Sequence, residues 1–230
     1  MTDLLTTPIL WLTVTLVAFE TADIVSRRSG RHPLCHPVLL ATPALIAALL
    51  ATRTAYPVYA NATQALSFLL GPAVVGLAVP IWRQRALIRR QAFPIALALA
   101  AGAATAIVSA VGVLWLFGAP RAVLASIAPR AVTTPVAMAV ASQLGGAPAL
   151  AAAVVLFAGV VGAMTATPLF NRMKIHDYRA RGFAVGVSAH GIGTARAFQV
   201  DSTAGAFAGL GMALNAVATA ALLSVLALLI

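Results

Sequence analysis

Residues 126 to 146 read SIAPRAVTTPVAMAVASQLGG, and the way this stretch meets a lipid bilayer decides the fold. With the residues just before it, it is long enough to span a hydrocarbon core, which takes about 20 residues of helix. Yet Pro129 and Pro135 bracket Arg130 inside it. Proline removes a backbone donor and clashes with the preceding turn. A broken helical ladder at membrane depth is tolerated only where protein or a cavity surrounds it. A charged side chain at helix centre costs a further ~2.5–3.5 kcal/mol on insertion scales, so it usually faces the protein interior and has a role there. The segment 122–144 is therefore expected to be re-entrant, or a pair of half-helices. Thr133, Thr134 and Pro135 look like a helix start, with a hydroxyl as cap and proline in the first turn. Such a start would aim free N–H groups and the positive dipole end into the membrane.

The rest of the chain supplies the lipid context. Of 230 residues, 61% are hydrophobic and 9% charged, against about 25% charged in a soluble domain. Apolar segments fall at about 5–25, 36–52, 63–82, 92–118, 122–144, 148–171, 182–198 and 203–229, each judged by length and composition. A membrane β-barrel would instead show alternating segments of roughly 10 residues. The expected fold is an all-α polytopic membrane protein with about seven to eight hydrophobic segments, some of them broken or re-entrant. No loop is long enough to fold alone, so residues 1–230 form one integral membrane domain. The N-terminus lacks the basic region of a signal peptide, and the first apolar run reads as a retained helix.

The formal charge of +10 does not point to nucleic acid, because the basic residues sit in short loops between apolar runs. A single cysteine, Cys35, excludes an internal disulfide and a cysteine metal cluster. His32 and His36 are separated by a proline and make no metal site, so neither metal nor cofactor is expected. Trp11, Trp82 and Trp115 lie near segment ends, as interfacial anchors do. Glu20 and Asp23 are expected to snorkel or to pair with Arg27 or Arg28, a structural role preferred to a proton relay.

Three basic clusters set the orientation: Arg27, Arg28 and Arg31; Arg83, Arg85, Arg89 and Arg90; and Arg172, Lys174, Arg179 and Arg181. All should be cytoplasmic. Three segments separate the second cluster from the third, so either one of them does not cross fully or one charged loop breaks the rule. The stretch 122–144 is the suspect. Weak internal repeats point the same way: interrupted runs in 63–82, 122–144 and 182–198 are each followed by a long apolar helix, giving units at about 63–118, 122–171 and 182–229. Interrupted segments in corresponding positions of repeats mark transporter binding sites.

The third interrupted run, VSAHGIGTARAF (187–198), holds Ser188, His190, Gly191, Gly193, Thr194 and Arg196. Gly191, Gly193 and Thr194 can make a second break. Arg130 and Arg196 want an anion, and the planar guanidinium fork matches a carboxylate. Asp201 is close enough in sequence to pair with Arg196. His190 can titrate near neutral pH and carry a proton, or orient a neighbour as a buried donor. Asn215 in the last helix is either inter-helix glue or a site wall. Gly191-x-Gly193 is no dinucleotide fingerprint, and Ser188 near His190 lacks an orienting carboxylate. The protein is not expected to be an enzyme.

These stretches resemble a known family. APRAVTTPVAMAVASQLGG (128–146), RARGFAVGVSAHGIGTARAF (179–198), FLLGPAVVGLAVP (68–80) and GAFAGLGMALNA (205–216) are similar to the signature stretches of the LrgB/CidB family. That family usually carries Lys-Ser-Val-Thr-Thr-Pro where this chain has Arg130, Ala131, Val132, Thr133, Thr134 and Pro135. The cation is kept and the hydroxyl is lost. An acidic residue often follows, where this chain has Ala139. The resemblance implies two kinds of function. Bacterial members are holin- or antiholin-like and modulate murein hydrolase activity and lysis with a small LrgA/CidA-type membrane protein. A plastid relative carries glycolate and glycerate, and bacterial members are tied to pyruvate movement.

The first expectation is a secondary transporter of small monocarboxylates, of the glycolate, glycerate or pyruvate class, in the inner membrane. The substrate site would comprise Arg130, Thr133, Thr134, Ser188, His190, Gly191, Gly193, Thr194, Arg196 and Asn215. The alternative is an antiholin-like regulator of murein hydrolase activity and lysis. The expected partners are a small carboxylate anion, the lipid bilayer, further copies of the chain and a small LrgA/CidA-like membrane protein.

Overall fold

The computed structural model describes residues 8–32, 35–76 and 78–229, with no strand among them; residues 5–7 of the first expected segment lie outside this range. Among the described residues there are twelve helices. They are α1 Pro8–Arg28, α2 Pro37–Thr52, α3 Tyr56–Ala62, α4 Gln64–Gly76, α5 Ala78–Arg83, α6 Arg85–Arg90, α7 Ala92–Leu116, α8 Arg121–Ile127, α9 Thr134–Gln143, α10 Pro148–Arg172, α11 Tyr178–Val200 and α12 Ser202–Leu229.

Four of these, α1, α7, α10 and α12, are long and apolar enough to cross a membrane. At 25 residues, α7 and α10 each reach about 37 Å, past the roughly 30 Å of a hydrocarbon core. The protein is an all-helical membrane protein. Fewer helices meet this criterion than the segments counted in the sequence. Helix α2, at 16 residues, reaches only about 24 Å. Segment 63–82 is shared between α4 and α5, and segment 122–144 between α8 and α9.

The chain forms two compact units, Met1–Ala78 and Val79–Ile230. In the first, α1 packs on α2 and α3. Trp11 is only 2% exposed. Its ring meets Tyr59 edge-on at 5.8 Å, and Thr15 joins the Tyr59 hydroxyl at 3.1 Å. Trp11 is thus a core residue of this unit and not the expected interfacial anchor, because α3 folds against its ring. Trp82 and Trp115 are exposed. The buried Asp23 pairs with Arg27, and also with Arg31 at 3.5 Å.

The second unit is built on α7, α10 and α12, joined by two fold-backs. The first lies between α7 and α10. Ser126, at the end of α8, accepts a hydrogen bond from the Ala147 N–H at 2.7 Å. A Cβ on Gly146 would stand 2.7 Å from the Ser126 nitrogen. The chain therefore leaves α8, runs through residues 128–133, and returns along α9 to where it left. Val132, Ala137 and Ala141 pack on Ala151 and Val155 of α10.

The second fold-back is α11. Asp177 caps its start, accepting from the Arg179 N–H at 2.9 Å. A hydrogen bond from the Arg179 side chain holds the Asp177 carboxyl below the usual carboxylate range. The helix breaks at His190, with φ 40 and ψ −131, a conformation costing a non-glycine residue of order 1–3 kcal/mol. The break falls on His190, not on Gly191, Gly193 or Thr194 as expected. Across it the two legs, 178–189 and 191–200, lie side by side. A Cβ on Gly193 would be 2.7 Å from Val185 Cγ1 and 3.1 Å from the Val185 oxygen. Eight residues of straight helix would separate them by about 12 Å.

Close backbone approach locks α11 onto α12. A Cβ on Gly182 would lie 2.1 Å from the Ala204 oxygen, and one on Gly186 2.0 Å from the Ala208 oxygen. Both contacts advance by four residues, so the first leg runs parallel to α12. Ring atoms of Phe198 lie 2.1 Å from the Cβ position of Gly205, and the Thr194 hydroxyl meets Met212 Sδ at 3.9 Å; these contacts run in opposite directions along the two helices, so the second leg is antiparallel to α12. Asp201 starts α12, its Oδ1 accepting from the Thr203 and Ala204 N–H groups at 2.7 and 3.0 Å. Replacing Asp201 with Ala should cost about 0.5–2 kcal/mol, read as a lower unfolding temperature in detergent with helix content unchanged.

Candidate functional site

The two fold-backs meet at the middle of α12. Asn215 is completely buried. Its amide donates to the Ala131 oxygen at 2.9 Å and to the Val187 oxygen at 3.1 Å, and its own oxygen accepts from Thr219 at 3.3 Å. One side chain thus ties the 128–133 turn, the first leg of α11 and α12 together. Both amide hydrogens are engaged in the core, so the structure places Asn215 as an inter-helix link.

Glycines seat the first leg of α11 between two long helices. A Cβ on Gly102 of α7 would be 2.8 Å from Val187, and one on Gly162 of α10 2.6 Å from Ala189. A cleft opens on each side of this leg. On the α7 side a cleft of about 510 Å³ is lined by Ala98, Gly102, Thr105, Ser109 and Phe183, among others. On the α10 side a cleft of about 530 Å³ is lined by Val154, Phe157, Thr165 and Leu169, among others. Arg130 and Ser188 line both.

Arg130 is half-buried. Its Nη2 donates to the Ser109 hydroxyl at 3.2 Å, and no carboxylate pairs with it among the described residues. A guanidinium has five donors. One neutral hydroxyl leaves most of them directed at the clefts. Ser188 is exposed, and its hydroxyl donates back to the Ala184 oxygen at 2.8 Å.

The other expected site residues fall elsewhere. Thr133 is the N-cap of α9, with Thr134 and Pro135 opening the helix as predicted. The Thr133 hydroxyl makes no capping hydrogen bond, which corrects that expectation. Its backbone is extended, and proline in the first turn takes away one of the donors a cap would meet. His190 is buried, and its Nε2 donates to the Val155 oxygen at 2.9 Å. A carbonyl only accepts, so Nε2 carries the hydrogen. Gly159 makes room for the ring: a Cβ there would sit 2.6 Å from His190 Cε1. Replacing Gly159 with Ala should expel the imidazole and cost about 1–3 kcal/mol, measurable by thermal unfolding. Thr194 is buried and donates to the His190 oxygen at 2.7 Å. Gly193 is buried between the legs, and Gly191 meets only Met212 Sδ at 3.9 Å. Arg196 lines a separate small cleft with Arg181. The structure thus brings Arg130 together with Ser188, and Arg196 together with Arg181. Ser109, Thr105 and Thr165 are additions that the sequence did not single out, since lone hydroxyls in alanine-rich helices carry no distinguishing pattern.

Among the described residues, four helices are long and apolar enough to cross a membrane, and within the second unit two fold-backs meet at Asn215, the first of them carrying the half-buried Arg130; the chain is an all-helical membrane protein. The chain belongs to the LrgB-like family, whose pattern matches residues 15–229. It is 34% identical to YwbG of Bacillus subtilis over 79% of this chain and 81% of that protein. It is 28% identical to the holin-like protein CidB of Staphylococcus epidermidis, and 27% to the holin-like protein CidB of Staphylococcus aureus, over 96% of each chain. No solved structure matches.

Proposed function

We propose that the protein carries small monocarboxylates across the bacterial inner membrane, with Arg130 as the anion-binding group. One observation carries this reading: a half-buried guanidinium without an acidic partner among the described residues lines clefts on both sides of one helical leg. Ser188 and Ser109 stand ready for a second oxygen of the substrate. Volumes near 500 Å³ suit molecules of the glycolate, glycerate or pyruvate class with water. His190, at the tip of α11, is the candidate proton carrier. No bond is made or broken in the substrate.

In this reading both fold-backs are re-entrant. A leg of 10 residues, as in α9, reaches about 15 Å, half of a ~30 Å core, so the tips lie near the midplane. Helices α7 and α10 then provide two crossings between the second and third basic clusters. That returns both clusters to the cytoplasmic face, in keeping with the positive-inside rule. Helix α12 leads away to the opposite face.

A second reading is favoured by the names of the relatives. Two CidB proteins called holin-like align over nearly the whole chain, and taken alone the comparisons lean this way. Here the output is control of murein hydrolase activity and lysis, together with a small LrgA/CidA-type membrane protein. Uptake of labelled glycolate and pyruvate by proteoliposomes, with and without a pH gradient, separates the two. Saturable uptake supports carriage. Well-folded protein that takes up neither acid under either gradient leaves the holin-like reading.

A further inference from the structure

The two clefts that share Arg130 differ in what else lines them. On the α7 side the walls are small: Ala98, Ala101, Gly102 and Ala106 are interleaved with the hydroxyls of Thr105 and Ser109. On the α10 side they are bulky and apolar, with Val154, Phe157, Val161, Leu169 and Phe170. The hydroxyl that α10 adds, on Thr165, is turned back onto the Val161 oxygen at 2.8 Å. From Val154 to Phe170 this lining runs about 24 Å along the helix. Phe157, Val161 and Leu169 are exposed, so the groove lies open along its side. Val132, just beyond Arg130 in the chain, packs on Ala151 and Val155, which sets Arg130 toward the Val154 end. The groove is a long apolar slot with a guanidinium near one end, and none of its lining residues is acidic.

We infer that the α10-side groove binds a carboxylate with an unbranched apolar tail, the chemistry of a fatty acid. Its head sits on Arg130 and its tail lies along Phe157, Val161 and Leu169. The guanidinium offers charge and forked donors to the head. Each methylene of the tail exchanges water for apolar side chains, which drives its burial. A glycolate-sized acid would leave most of the slot unfilled. An uncharged acyl chain would leave the guanidinium unmatched, and a cation would be repelled by it. In a bilayer, a groove open on its side admits such a chain directly from the lipid. The head takes the same guanidinium that the α7-side cleft offers to small acids, so a tailed acid competes with them. This inference rests on the anion-binding role given to Arg130 above, and not on transport itself.

The test uses purified full-length protein in phosphatidylcholine nanodiscs, which hold neither a detergent tail nor a carboxylate. Thermal unfolding is followed at neutral pH with added acetate, butanoate or hexanoate, beside hexanol and hexylammonium. The midpoint concentration for stabilisation should fall roughly fourfold with each methylene added to the carboxylate. Hexanol should need at least about tenfold more than hexanoate, and hexylammonium should not stabilise. Val161→Trp, which narrows the slot from its exposed side, should flatten the dependence on chain length. Arg130→Ala should remove the advantage of hexanoate over hexanol. The wild-type series stands without either variant. If proteoliposomes take up glycolate but hexanoate binds no more tightly than acetate, this inference falls and the carrier reading stands. If the series holds and neither glycolate nor pyruvate is carried, the carrier reading falls and the tailed-acid site stands. The proposal is also overturned if hexanol or hexylammonium matches hexanoate, or if Val161→Trp and Arg130→Ala both respond like wild type.

Discussion

Proteoliposomes carrying Arg130→Ala should lose carboxylate uptake by on the order of 100-fold, equivalent to ~2.7 kcal/mol, while the protein still inserts and unfolds near the wild-type temperature. The selectivity of this loss follows from what Arg130 touches. Its one protein partner among the described residues is the Ser109 hydroxyl, an exposed group that water can satisfy. Removing the guanidinium therefore leaves no buried polar atom behind. Its contribution lies in the clefts, where a carboxylate would lose both its charge partner and its forked hydrogen bonds. Arg130→Lys should keep part of the activity, because the ammonium retains the charge without the planar fork. If Arg130→Ala carries glycolate and pyruvate as well as the wild type does, the arginine is not the anion site and the carrier reading falls. A regulator acting through protein contacts would show the same indifference.

Gly186→Ala should prevent stable folding, or cost about 3 kcal/mol or more, the upper end of overpacking effects. The added Cβ would stand 2.0 Å from the Ala208 oxygen, and that atom belongs to the backbone of α12. No side-chain rotation can relieve such a clash. The first leg of α11 would have to move off α12, lengthening the bond from Asn215 to Val187 and so breaking the link through Asn215 that joins the two fold-backs. Gly191→Ala is the internal control. Its nearest neighbour is Met212 Sδ at 3.9 Å, an ordinary contact with a flexible side chain, and it should be tolerated. Unfolding temperature and size-exclusion profile in detergent would compare the two. Equal stability of both variants would show that the helices are not in contact as described.

The class of fold was legible from composition alone, since so few charges cannot clothe a soluble surface. The start of α9 was legible too, because Thr-Thr-Pro fixes a helix start by local chemistry. The double-back of α11 was not. Its glycines drew attention to 191 and 193, while the turn is made at His190, held by a carbonyl 35 residues earlier in the sequence and by the space at Gly159. Such support comes from tertiary packing and leaves no local pattern. Arg130 stood out because charge is rare in apolar helices. Its separation from Arg196 could not be read, because hydropathy treats a helix that returns on itself like one that continues. Trp11 misled for a similar reason: a tryptophan near a segment end suits an interface, and nothing nearby announces that Tyr59 will cover it.

Arg130 and Ser188 belong to both large clefts. An occupant of one draws on the same guanidinium and hydroxyl that an occupant of the other would need. The two hollows cannot fill independently, even though each has room for its own guest. An isothermal titration should therefore saturate at one ligand per chain, and two different ligands should compete without forming a ternary complex.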